Sequence, residues 1–125
     1  MEVWQLARIL VREVYEITQK PEFQKDFSLK NQVRRCAVSI MANISEGFER
    51  KTQKEFIQFL FIAKGSCGEL RSHFYIAFDL EYINKEFSTI FKIKLLQSQN
   101  QSAVSSNIFL IQPLPSDDKS LIFNL

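Results

Sequence analysis

From Phe56 to Phe78 apolar side chains return at every third or fourth position: Phe56, Phe59, Leu60, Ala63, Cys67, Leu70, Phe74, Ala77 and Phe78. That is the period of a long helix with one buried face, not the alternation of a half-buried strand. Thr52-Gln53-Lys54-Glu55 opens the run as a capping box, in which hydroxyl and carboxylate each take a free backbone amide of the first turn. The predicted helix runs to about Leu80. Gly65 and Gly68 fall inside it, where each costs roughly 1 kcal/mol relative to Ala. They are read as points where a neighbouring helix comes close.

Two earlier segments carry the same period. Val3, Ala7, Leu10, Val14 and Ile17, widened by Trp4 and Val11, predict a helix over about Glu2–Lys20 that Pro21 stops. Ser28 is a plausible N-cap for the next helix. Its inner stripe is Leu29, Val33, Cys36 or Ala37, Ile40, Ile44 and Phe48, and Gly47 is read as its terminator. The short connections, about 21–27 and 48–51, make neighbouring helices antiparallel.

Beyond Ile83 the pattern decays. Asn84 can cap a ragged helix through Phe87, Ile90, Phe91, Ile93, Lys94 and Leu95, but several of its residues are β-branched. From Gln97 to Asn107, nine of eleven residues are Gln, Ser or Asn, which reads as a linker. The expected organisation is a helical domain over 1–96 and an atypical polar tail over 97–125. The expected fold is all-α: an antiparallel up-down four-helix bundle with three secure helices and a degenerate or altered fourth.

Composition narrows the function. Three Gly and three Pro are too few for a many-stranded sandwich or a Gly-rich nucleotide fold, and a net charge of +2 does not by itself mark a nucleic-acid protein. Cys36 and Cys67 lie in different predicted helices without CxxC spacing, so free buried thiols are expected. No signal segment opens the chain and no apolar run is long enough for a membrane span, which makes a cytoplasmic protein the expectation.

Catalytic constellations are missing. His73 is the single histidine, and Glu69 lies one turn before it; a metal site built like those of di-iron bundles would need a second His and two Glu-x-x-His motifs. The pair is read as two polar side chains at the surface, with no metal and no cofactor. Ser39, Ser45 and Ser66 have no nucleophile-elbow context, and the expectation is a protein that is not an enzyme. The better lead is basic. Lys30, Arg34 and Arg35 on the second helix, with Arg50, Lys51 and Lys54 at the following turn, can meet phosphates. Glu46, Glu49 and Glu55 lie close by in sequence and dilute the field, and the alternative for the same six residues is a solvated surface of intrahelical and intersubunit ion pairs. Asn43, Glu46 and Arg35 are read as polar groups that fix register between subunits.

At the second and third helices the residues become specific. Gln32-Val33-Arg34-Arg35-Cys36-Ala37-Val38-Ser39-Ile40, then Ala42-Asn43-Ile44-Ser45-Glu46-Gly47, resembles a signature of the bacterial "four helix bundle protein" family, also called 23S rRNA intervening-sequence proteins. Glu55-Phe56-Ile57-x-Phe59-Leu60-x-Ile62-Ala63-x-Gly65-Ser66-x-x-Glu69-Leu70 resembles a second signature. Glu2-Val3-Trp4-Gln5 and Leu80-x-Tyr82-Ile83 complete a match over about residues 1–86. The family usually carries residues before its Glu-Val-Trp and a regular fourth helix after Tyr-Ile. The stretch after Phe87 does not resemble that helix, so a shifted reading frame near residue 87 or a decayed copy is a hypothesis. Absence of a family-like fourth helix from both alternative frames of the genomic DNA would discard it.

The resemblance implies a homo-oligomer, commonly a homopentamer, and related bundles serve as accessory subunits of diversity-generating reverse transcriptases. The functional expectation is a non-enzymatic oligomeric scaffold that binds RNA or a ribonucleoprotein through Lys30, Arg34, Arg35, Arg50, Lys51 and Lys54. Trp4, Ser39, Asn43, Glu46, Gly47, Gly65 and Glu69 are assigned to subunit-interface or structural roles. The alternatives are a protein–protein assembly module with no nucleic-acid role, or a decayed, non-functional copy.

Overall fold

A computed structural model describes residues 2–84, and among them every regular element is helical. Four helices follow in order: α1 Glu2–Ile17, α2 Pro21–Lys25, α3 Phe27–Glu49 and α4 Gln53–Asp79. The expected fourth bundle helix from Asn84 to Leu95 and the polar tail lie outside the described residues, apart from Asn84 itself.

α1 ends three residues earlier than its apolar stripe predicts. Thr18 is fully buried, and its hydroxyl donates back to the carbonyls of Val14 (2.8 Å) and Tyr15 (3.2 Å), competing with a further helical turn. Gln19 and Lys20 then bond three residues back, to Glu16 and Ile17, which tightens the exit. Pro21 does not simply stop a helix. It sits in the first turn of α2, where its missing N–H costs nothing. That short helix places Phe23 in the core with no exposed surface.

Asp26, not Ser28, caps α3: its carboxylate accepts from the Leu29 N–H at 3.1 Å. α3 also runs through Gly47 to Glu49, so Gly47 is not its terminator. Gly47 is buried, and a Cβ there would stand 3.3 Å from Phe59 Cβ and 3.4 Å from the Phe56 carbonyl. The close approach expected at Gly65 and Gly68 is therefore at Gly47. Among the described residues a Cβ at Gly65 would meet nothing within 4 Å, and one at Gly68 only the tip of Arg71 at 3.7 Å. Phe48, expected in the stripe, is instead 42% exposed, and its ring packs edge-on against Phe56 at 5.0 Å.

The Thr52 cap forms as the spacing predicts, with its hydroxyl oxygen accepting from the Glu55 N–H at 3.1 Å. The Glu55 carboxylate accepts a hydrogen bond from the Thr52 hydroxyl at 2.9 Å rather than reaching the backbone amide. Cys36 meets Glu69, Ser39 meets Ser66, and Gly47 meets Phe59. Each step up α3 is a step down α4, so these two helices run antiparallel, and α3 packs against all three of the others. One core joins Leu10, Val14 and Ile17 of α1, Val33, Ala37, Ile40 and Ile44 of α3, and Leu60, Ala63, Leu70, Phe74 and Ala77 of α4.

α4 ends in a Schellman turn. The Glu81 N–H bonds to the Phe78 carbonyl and the Tyr82 N–H to that of Ala77, with Glu81 in the left-handed region at φ 62°. The turn lays Tyr82 against Phe23, ring centroids 5.3 Å apart, and buries Ile83. No helix among the described residues is long and apolar enough to cross a membrane.

Candidate functional site

Polar chemistry collects on two sides of α3. Facing α1 is an open groove of about 470 Å³ lined by Tyr15, Asn31, Arg34, Arg35, Val38 and Ser39. Facing α4 is a polar seam that runs along the helix in two clusters.

In the groove Arg34 is a structural residue as well as a charge. Its Nε donates to Thr18 Oγ1 at 2.8 Å, and its guanidinium lies 4.4 Å from the centroid of the Tyr15 ring. A buried hydroxyl and an aromatic face therefore fix its position, and it ties the end of α1 to the first half of α3. Arg35, the next residue, also lines the groove, beside Asn31.

The six basic residues fall into two groups. Lys30, Arg34 and Arg35 lie near the start of α3. Arg50, Lys51 and Lys54 lie beyond its end, and at 1.5 Å per residue Arg34 and Arg50 are roughly 24 Å apart along the axis. Lys30 Nζ sits 4.6 Å from the Phe27 ring centroid. Arg50 pairs with Glu46 at 2.7 Å and lies 4.7 Å from the centroid of the Phe59 ring. Lys51 and Lys54 are exposed, with no ion pair among the described residues.

The seam's first cluster is Asn43, Ser39 and Ser66. Asn43 Nδ2 donates to the Ser39 carbonyl (2.8 Å) and to its Oγ (3.1 Å), while the two serine hydroxyls meet at 2.9 Å. One turn away, Cys36 Sγ donates to Glu69 Oε2 at 3.1 Å, and the same oxygen stands 3.6 Å from His73 Nε2. The Glu69–His73 pair is thus not a plain surface pair. Both ring nitrogens of His73 are buried without a hydrogen-bond partner among the described residues, and a residue of another helix joins the cluster. Sequence spacing could not show this, because Cys36 and Glu69 are 33 positions apart.

Cys36 and Cys67 are both free and buried, as their placement in different helices predicts. Burial pushes the Cys36 thiol up to about 12, helped by its hydrogen bond to Glu69. Burial alone raises Cys67 to about 12, partly offset by Arg71. The remaining residues assigned to an interface are dispersed. Trp4 packs partly buried on the core with Arg8 6.0 Å from its ring centroid, Glu46 is held by Arg50, and Gly65 is open to solvent.

Among the described residues an all-helical fold, with a basic groove between α1 and its central helix and a polar seam between that helix and α4 that share Ser39, is the class that fold and site define. The chain belongs to the 23S rRNA-intervening sequence protein family, whose model matches residues 1–104. The match continues past Phe87, beyond the residues 1–86 that the quoted motifs cover. No curated protein and no solved structure matches the chain.

Proposed function

We propose that this protein is a non-enzymatic, cytoplasmic homo-oligomer that binds RNA, free or in a ribonucleoprotein, along the groove between α1 and α3. The proposed architecture is an up-down four-helix bundle in which the antiparallel α3–α4 pair and α1 are joined by a helix from the chain beyond Ile83. One observation carries the RNA reading. Arg35 and Asn31 line an open groove beside the Arg34–Tyr15 stack, which sets phosphate-binding and base-contacting groups side by side. The thiol of Cys36 supports a binding role over a catalytic one. It donates to Glu69 rather than to His73 and is held protonated, the reverse of an activated nucleophile.

The test is anisotropy of a labelled single-stranded RNA as salt rises. Binding should weaken steeply with salt, and Arg35→Ala should weaken it further and lower the salt slope by about one. RNA that fails to bind at low salt, or that binds the Arg35→Ala variant equally well, overturns the reading.

The second reading is a protein–protein assembly module, favoured by Phe61, Ile62 and Ile76 on α4 and Leu80 just past its end, all about half exposed. Size-exclusion chromatography with light scattering and two-wavelength absorbance separates the two. A discrete oligomer carrying nucleic acid supports the first, and a clean oligomer that takes up no RNA supports the second. Aggregated material supports a decayed copy.

A further inference from the structure

The Cys36–Glu69–His73 cluster is left unexplained by RNA binding or assembly. It offers one sulfur, one carboxylate oxygen and one imidazole nitrogen from two antiparallel helices, with all three ligand atoms within 4.8 Å of one another. We propose that these three side chains form a mononuclear site for a divalent ion of borderline softness, Zn²⁺ in the first place, between α3 and α4.

Three observations support it together. The donor set is the mixed S, N, O type that zinc accepts, whereas magnesium and calcium prefer oxygen alone. The spacing is near that of a tetrahedral shell. Metal–ligand bonds of about 2.0–2.3 Å put neighbouring donors roughly 3.3–3.7 Å apart, against 3.1 Å for Sγ to Oε2 and 3.6 Å for Nε2 to Oε2. The third pair, Cys36 Sγ and His73 Nε2, lies within 4.8 Å, and side-chain rotation that draws these two donors together completes the geometry. Finally, the imidazole nitrogens are buried without a partner among the described residues, which is costly for a polar group and is relieved at the nitrogen that binds the ion.

The helices also supply an approach. Cys36 is buried, His73 is partly buried, and the Glu69 side chain is 55% exposed, so the carboxylate forms the outer side of the site. Three protein ligands leave the fourth position to water on that side. On binding, the S–H bond breaks, a Zn–S bond forms, and the thiol proton, now directed at Glu69, leaves to solvent. Glu69 then exchanges its role as hydrogen-bond acceptor for that of ligand, and His73 binds as neutral imidazole. The ion would clamp α3 to α4 about midway along their contact. The pair Glu69–His73 alone is one turn of one helix, and only Cys36 makes the set a cross-link.

The experiment uses the full, untagged chain, stripped with a chelator and titrated with Co²⁺ as a spectroscopic stand-in, then with Zn²⁺ against a chromophoric chelator. One equivalent per chain is expected, with a thiolate-to-cobalt charge-transfer band and visible bands of tetrahedral intensity. Cys36→Ser should abolish the charge-transfer band, and Glu69→Gln and His73→Gln should each weaken Zn²⁺ binding at least tenfold. Cys67→Ser should leave both readouts unchanged, since Cys67 lies outside the cluster. Circular dichroism of each stripped variant checks that it is folded. Zn²⁺ should raise the melting temperature of the parent chain more than that of His73→Gln at the same concentration. Absence of the band from the folded parent chain overturns the proposal. So does loss of the band in Cys67→Ser but not Cys36→Ser, or equal Zn²⁺ affinity in the parent and His73→Gln.

Discussion

Tyr82 Oη donates to Asp26 Oδ2 at 3.0 Å, while the other oxygen of the same carboxylate caps α3 through the Leu29 N–H. One side chain thus starts α3 and anchors the turn that follows α4, and the bond to Asp26 raises the Tyr82 phenol above its ordinary value. Asp26→Ala should cost about 1 kcal/mol through the lost cap alone. Tyr82→Phe keeps the Phe23 contact and should cost less. A double-mutant cycle in urea should give a non-zero coupling between the two. Strictly additive effects would show that the bond does not form in solution.

Glu81 holds the left-handed position of the Schellman turn at φ 62°, where a Cβ is disfavoured and glycine is the usual occupant. Glu81→Gly should therefore stabilise the protein by about 1 kcal/mol, seen as a higher urea midpoint at unchanged slope. A lower midpoint would mean that the Glu81 side chain contributes more than its backbone costs.

Much of this architecture is legible in the residues. The stripe from Phe56 to Phe78 and the Thr52 box locate α4 to within a residue of its ends, because period and cap are local properties. The α1 stripe likewise names Ala7, Leu10, Val14 and Ile17 as core. What the sequence conceals is whatever depends on the opposite helix. Spacing identifies Gly47, Gly65 and Gly68 as special but not which of them faces a neighbour. It takes the register of α3 against α4 to put Phe59 over Gly47 and, among the described residues, nothing over Gly65. Thr18 is similar: a hydroxyl that turns back on its own helix is visible only once Arg34 is seen to fill its remaining hydrogen-bonding capacity. The Cys36–Glu69–His73 cluster is hidden for the same reason, since no linear motif spans two helices. The six basic residues expected to meet phosphates together form two separate groups, because α3 is long.

The two glycines should respond in opposite ways to alanine. Gly65→Ala adds a methyl into open space inside a helix and should gain about 1 kcal/mol. Gly47→Ala has the same intrinsic gain but sets its methyl 3.3 Å from Phe59 Cβ, so the neighbouring helix must yield. The expected order of melting temperature is Gly65→Ala above the parent, with Gly47→Ala below Gly65→Ala. Equal gains at both sites would show that the α3–α4 contact is looser than described.

Two buried thiols make stability fall in alkali. Cys36 and Cys67 each rise from 9.0 to about 12 in the folded chain, so folding favours their protonated forms. The unfolded state loses protons first, and the stability this brings is fully present below pH 9 and lost as pH climbs from 9 towards 12. Urea midpoints should decline across that window, and less so in Cys67→Ala. At neutral pH both thiols should react slowly with iodoacetamide in the native chain and readily in urea. A thiol that is fast to react in the folded protein would contradict the burial.

Arg34 and Arg35 are adjacent in sequence and should separate in experiment. Arg34→Lys keeps the charge but gives up the Nε bond to Thr18 and the flat contact with Tyr15, and should cost about 1 kcal/mol of stability. Arg35→Ala touches no hydrogen bond among the described residues and should leave the melting temperature within about 3 °C of the parent, on the order expected for a surface change. If RNA binding then falls in Arg35→Ala while its melting curve does not move, the loss belongs to the groove rather than to the fold. A melting temperature lowered as far by Arg35→Ala as by Arg34→Lys would assign both arginines to holding α1 on α3, and the groove would lose its case as a binding surface.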